Sequence, residues 1–169
     1  MAILSILEYP DKRLRNKALP VSEVDSNVRR IVDDMFETMY EQSNTVGLAS
    51  IQVNIPLRIL VMDISEDRSS PICVINPEII AREGIQQEVE GCVSFPGVWD
   101  KVDRSAKICM RALDQNGKPY ELNAEELLSV CIQHEMDHLD GVLFVDHLSR
   151  LKQTRLVKKL QKNRLRAVE

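Results

Sequence analysis

The chain has 169 residues, 44% of them hydrophobic, and a formal net charge of -4. That length and apolar content predict one domain, residues 1–169, with a real core. No apolar run approaches the roughly twenty residues of a membrane span, and the negative charge argues against general nucleic-acid binding. The four cysteines (Cys73, Cys92, Cys109 and Cys131) are irregularly spaced with no C-x-x-C pair, and Asp11, Lys12, Arg13 and Arg15 interrupt the apolar start too early for a secretory signal. Free thiols and a reducing, cytoplasmic location are therefore expected.

In chain order, Ile3 to Leu7 reads as a short strand stopped by Tyr9-Pro10-Asp11, a turn signal. Ser22 to Asn44 is the first helix, with Val28, Ile31, Val32, Met35, Phe36 and Met39 at helical spacing as its core face. A small-residue stretch, Gly47 to Gln52, leads into a strand at Leu57 to Asp63. Ser65 to Pro71 is a polar loop, and Ile72 to Ile75 a strand closed by Asn76-Pro77. Lys107 to Leu113 and Tyr120 to Leu122 form a hairpin, for which Asn116-Gly117 predicts a type I′ turn. A central helix follows, with Asn123 as N-cap, Glu126 completing a capping box, and Gly141 at the C-terminal αL position. Ser149 to Val168 is a basic C-terminal helix. Strands first and a central helix late predict an α+β fold, with antiparallel strands packed around the central helix.

That helix carries the chemistry. His134-Glu135-Met136-Asp137-His138 is an H-E-x-x-H pattern. Two histidines four apart share one helix face, so both imidazoles can reach one metal ion. Glu135 follows the first of them, where its carboxylate can lie beside a water on the metal and act as general base. Leu127, Val130 and Cys131 fall on the same side as the histidines. A catalytic site of this kind usually has three protein ligands. The metzincin continuation fails, because Phe144 stands where its third histidine would be. The only glutamate after His138 is Glu169, and Asp146 and His147 follow Gly141 too closely. The third ligand is therefore expected upstream, and Cys92, beside Gly91 and small or polar neighbours, is the best candidate. Cys73 and Cys109 read as buried, inert thiols and Cys131 as a pocket residue. A Cys-His-His set can hold Fe²⁺, Zn²⁺, Ni²⁺ or Co²⁺.

Three stretches together resemble the bacterial peptide deformylase family: Gly47-Leu48-Ala49-Ser50-Ile51-Gln52, Glu90-Gly91-Cys92-Val93-Ser94, and Gln133 to Leu139 with Gly141. The resemblance runs over nearly the whole chain. It implies hydrolysis of the N-formyl group from the formyl-methionine of newly made proteins. It also implies Cys92, His134 and His138 as metal ligands, with Fe²⁺ as the usual cellular ion. Glu135 would move the proton, while the Gln52 side-chain amide and the Val93 backbone N–H would stabilise the oxyanion. Val46, Leu127, Val130 and Cys131 match methionine-pocket positions, and Gly47 would let the peptide backbone approach. A monomer is implied, with docking near the ribosomal exit tunnel through the basic tail.

The chain departs from the family pattern at Thr45 and Ser50, which replace a glycine and an alanine, and at Val93, where leucine is usual. Trp99 stands where many bacterial members carry an arginine near the substrate mouth, so altered peptide preference is expected. Two other readings compete on the residues alone: a metal-dependent peptidase, and a structural metal protein that binds ribosomes. The missing downstream ligand and Glu90-Gly91-Cys92-Val93-Ser94 oppose the first. Glu135 beside an open site opposes the second, since structural sites are normally closed by four protein ligands.

Overall fold

A computed structural model describes residues 2–168. Strands β1 (Gly47–Ala49), β2 (Ile59–Met62), β3 (Ile72–Cys92), β4 (Phe95–Leu113) and β5 (Pro119–Glu125) form one sheet in sequence order. Every neighbouring pair is antiparallel. Three α-helices accompany it among the described residues: α1 (Ser26–Glu41), α2 (Glu126–Leu139) and α3 (Arg150–Val168). The α+β reading with an antiparallel sheet holds.

Alternation along β2 and β3 decides where the helices sit. Leu60, Met62 and Val74 join Ile132 and Leu139 of α2 in one core cluster. Ile59, Val61, Cys73 and Ile75 point the other way, into a cluster with Val28, Val32, Met35 and Met39 of α1. Successive strand residues face opposite sides, so β2, apolar at every position, is covered on both faces. A third cluster packs Leu156 and Leu160 of α3 against Phe95, Val98 and Phe144. Leu151 and Leu165 of the same helix are exposed.

Several boundaries differ from expectation for identifiable reasons. Ile3 to Leu7 is not a strand; isolated bonds to distant segments hold it, Leu4 N donating to Thr38 Oγ1 at 2.8 Å and Leu7 N to Gln52 O at 2.7 Å. α1 is shorter than read, because the Asp25 side chain caps Val28 N at 2.9 Å. Asn76-Pro77 does not end β3. The register shifts between Ile75 and Glu78, with Asn76 at φ 52, and this irregularity absorbs a proline that has no N–H for the ladder. The strand then runs on to Cys92, and β4 begins at Phe95, so the Glu-Gly-Cys-Val-Ser stretch is the tight return of a long ribbon. At the second hairpin Gly117 is left-handed but Asn116 is not, so the turn is not type I′. Asp114 organises it instead, its carboxylate accepting from Asn116 N and Lys118 N.

The start of α2 is also different. Asn123 pairs with Cys109 in the sheet and cannot cap. Strand β5 passes directly into the helix at Glu126, which takes φ 54, and Glu125 in the cap position makes no side-chain bond. The far end follows expectation. Gly141 N donates to His138 O and Val142 N to Asp137 O, the paired bonds of a Schellman end, with Gly141 at φ +73. A Cβ there would lie 2.5 Å from Arg15 O. Only glycine suits this position.

Candidate active site and metal centre

The apolar side of α2 packs on the sheet, and this presses His134, Glu135 and His138 inward; all three are buried. The imidazoles lie edge to face, 5.2 Å between ring centroids. Cys92, at the end of β3, brings its Sγ to 3.4 Å from His138 Nε2. One donor atom from each of Cys92, His134 and His138 lies within 4.8 Å of the others, and among the described residues this is the one such group of three or more. A thiol and two imidazoles meeting this closely fit a divalent cation with a position left open for water. The Nδ1 of His134 is taken by Glu90 Oε1 at 2.7 Å, which fixes the ring and leaves Nε2 facing the cluster.

Glu90 is itself held. Arg104 donates Nε to Glu90 Oε2 at 2.8 Å and Nη2 to Oε1 at 2.9 Å, with both side chains only 4% exposed. Its Nη1 reaches Asp137 Oδ2 at 2.6 Å, and His147 Nε2 meets the same oxygen at 2.8 Å. A chain of hydrogen-bonded side chains thus runs from His134 outward to exposed His147. Burial pushes the Glu90 carboxyl up, but the Arg104 and His134 bonds prevail and bring it down to about 2. Burial pushes Glu135 up to about 7; its Oε1 lies 3.6 Å from His134 Nε2. Burial also holds His138 well below the ordinary histidine value, in the neutral form a metal ligand needs.

Gln52 bridges the two halves of the site. It sits in a 3-10 turn at Ser50–Val53 that directly follows β1. Its Oε1 accepts from Ala49 N at 2.9 Å, and its Nε2 donates to Ser94 Oγ at 3.1 Å and to Cys92 Sγ at 3.3 Å. Val46, Gly47, Gln52, Cys92, Val93, Leu127, Val130, Cys131, His134 and Glu135 all border one cavity of about 710 Å³. Its floor is close-packed: a Cβ on Gly47 would lie 2.9 Å from Cys131 Sγ and 3.0 Å from Glu135 Cγ. Cys73 and Cys109 lie elsewhere in the sheet; Cys73 is buried as expected, whereas Cys109 is only partly buried.

Every site residue expected from the sequence therefore gathers at one place. Sequence reasoning missed the roles of Glu90, Ser94, Arg104 and Asp137. Glu90 carried a signal, standing two residues before Cys92 in what proves to be a strand. Arg104 carried none, because only the β3–β4 register brings it across. His147 lies outside the Cys92, His134 and His138 group and forms the outer end of the hydrogen-bonded chain.

A family model described as polypeptide deformylase matches residues 3–154. The chain belongs to the peptide deformylase family. Peptide deformylase 1 of Pseudomonas syringae pv. tomato is 58% identical over 163 residues, covering 96% of each chain, and the peptide deformylase of Pseudomonas aeruginosa is 57% identical over 163 residues. Among solved structures, a peptide deformylase from Legionella pneumophila superposes with a TM-score of 0.94 at 46% identity over 99% of both chains. That from Ehrlichia chaffeensis in complex with actinonin gives 0.90 at 39% identity, over 96% of this chain and 98% of the other. Peptide deformylases are metalloenzymes that remove the N-formyl group from nascent peptides, and the chain is an enzyme of this activity. No helix among its described residues is long and apolar enough to cross a membrane.

Proposed function

We propose that Cys92, His134 and His138 hold one divalent metal ion and that Glu135, Gln52 and Val93 carry out deformylation beside it. The observation that carries this reading is the convergence of the three donor atoms within 4.8 Å, at the floor of a cavity that Glu135 and Gln52 also border. When bound, the ion supplies Lewis acidity, which activates water and polarises the formyl oxygen. Glu135 accepts the proton of the attacking water on its carboxylate. As the C–N bond breaks, Glu135 returns that proton to the departing amine, giving formate and a free N-terminal methionine. Gln52 Nε2 and the Val93 N–H donate to the formyl oxygen as negative charge builds there. Glu90 keeps His134 in the tautomer that presents Nε2, and Arg104 keeps Glu90 ionised.

The methionine side chain enters among Val46, Leu127, Val130 and Cys131, and Gly47 admits the peptide backbone. The ion is Fe²⁺ in the cell, with Zn²⁺, Ni²⁺ or Co²⁺ as substitutes that the mixed thiolate–imidazole set accepts. Residues 1–169 act as one monomeric catalytic unit in the cytoplasm, and the basic α3 is the surface offered to the ribosome.

Formate release from formyl-Met-Ala-Ser, measured on anaerobically purified protein alongside its metal content, tests the assignment. Release is expected in the wild type and lost in Glu135→Ala with the metal retained. A Glu135→Ala variant that kept both metal and turnover would overturn the proton-transfer role.

A further inference from the structure

One short turn reaches His134 by two separate routes. The 3-10 turn Phe144–His147 comes after α2. Its first residue, Phe144, stacks its ring on that of His134, 6.0 Å between centroids and 26° between planes. Its last, His147, reaches His134 Nδ1 through Asp137, Arg104 and Glu90. His147 stands away from the chemistry. It borders a second cavity, of about 400 Å³, that shares no lining residue with the catalytic one.

The Asp137 carboxylate carries the link through a single oxygen. Arg104 Nη1 donates to Oδ2 at 2.6 Å, and His147 Nε2 stands 2.8 Å from the same atom. An ionised carboxylate oxygen only accepts, so the His147 hydrogen must sit on Nε2. Two donors therefore converge on Oδ2. The other oxygen, Oδ1, makes no hydrogen bond among the described residues, so these two donors set the rotation of the carboxylate. With His147 removed, the Asp137 side chain, already 26% exposed, is free to turn toward water.

Arg104 passes the constraint inward because a guanidinium is planar and its donors form a rigid fork. Holding Nη1 on Asp137 holds the plane in which Nε and Nη2 meet Glu90. Glu90 Oε1 then meets His134 Nδ1 at 2.7 Å. We infer that His147 is a positioning residue for the metal centre: its bond to Asp137 fixes the Arg104 fork on Glu90, and through it the ring of His134. This rests on the ligand set proposed above.

Zn²⁺ affinity of the whole chain, measured by competition with a calibrated chelator, tests it. His147→Leu keeps much of the side chain's bulk but donates nothing to Asp137. It should raise the Kd by about three- to tenfold, the net worth of one hydrogen bond. His147→Gln carries an N–H at a similar reach and should restore binding close to that of the wild type. Asp137→Ala should weaken binding at least as much as His147→Leu. In the Asp137→Ala background, His147→Leu should cost nothing further, because the two residues act along one path. An unchanged Kd in His147→Leu or Asp137→Ala, or an equal loss in His147→Gln, overturns the positioning role. So does a full second loss in the double variant, which would assign the effect to the Phe144 route. A wild type that binds no Zn²⁺ would instead overturn the ligand set beneath it.

Discussion

At the scale of single residues, the site is organised by what each buried charge is allowed to meet. Glu90 is the clearest case, since it joins His134 to Arg104 deep in the fold. An outer partner of a metal-binding histidine, the role proposed for Glu90 beside His134, typically governs affinity by about 10–100-fold. Glu90→Gln is therefore expected to weaken metal binding by that factor, read by competition with a calibrated chelator, while Glu135→Ala leaves affinity nearly unchanged. Gly47 makes a separate prediction. Its missing Cβ leaves room for Cys131 and Glu135, at 2.9 and 3.0 Å from where that atom would stand. Gly47→Ala should displace Glu135, whose proposed general-base role would be worth about 10²–10⁴-fold, so kcat should fall substantially with metal content retained. A variant with unchanged kcat would show that the wall yields instead. The motif histidines and Glu135 were legible from spacing alone, because an i, i+4 pair has only one geometry on a helix. Arg104 was not legible, since nothing local to residue 104 says which residue fourteen positions earlier it will face.

At the scale of elements, local rules succeeded wherever the chain was free to follow them and failed where the sheet claimed the same residues. Asn123 is a sound N-cap by type, yet the β4–β5 ladder takes it and α2 begins at Glu126 without a side-chain cap. The ladder that joins edge strand β5 to β4 outweighs one capping bond. α1 shows the opposite outcome, with Asp25 free to cap Val28 N. Asp25→Ala should cost about 1 kcal/mol, measured by urea unfolding with an unchanged slope. Within the same helix, fully buried Met35 packs toward β2, and Met35→Ala should cost about 2–5 kcal/mol. The helix also borrows help from a distance: Arg68 donates to the carbonyls of Tyr40 and Gln42 at its C-terminal end. No sequence signal within residues 26–41 foretells that cap.

At the scale of the whole molecule, acid stability follows from carboxylates that fasten one segment to another. Burial raises the pKa of Asp63, but bonds from Ser65, Tyr40 and Ser70 outweigh it and hold the carboxyl below its ordinary value. The stability this gives is present above the unfolded pKa of about 3.9 and is lost as pH falls through the lower folded value. Asp63→Asn should accordingly flatten the Tm-versus-pH curve below about pH 4, while an unaltered acid limb would assign the effect elsewhere. The Arg15–Asp146 pair, which ties the N-terminal segment to the turn after α2, adds to the same limb. Composition, helical and strand periodicity, the H-E-x-x-H spacing and the Gly141 stop were determined by the sequence itself, because each depends on neighbours within a few residues. The continuation of β3 through Pro77, the hand-over from β5 to α2, the Glu90–Arg104–Asp137 chain and the seating of Trp99 on Gly91 were decided only by tertiary structure. Each depends on which distant backbone arrives opposite, and an antiparallel register many residues long is fixed by burial across the whole sheet.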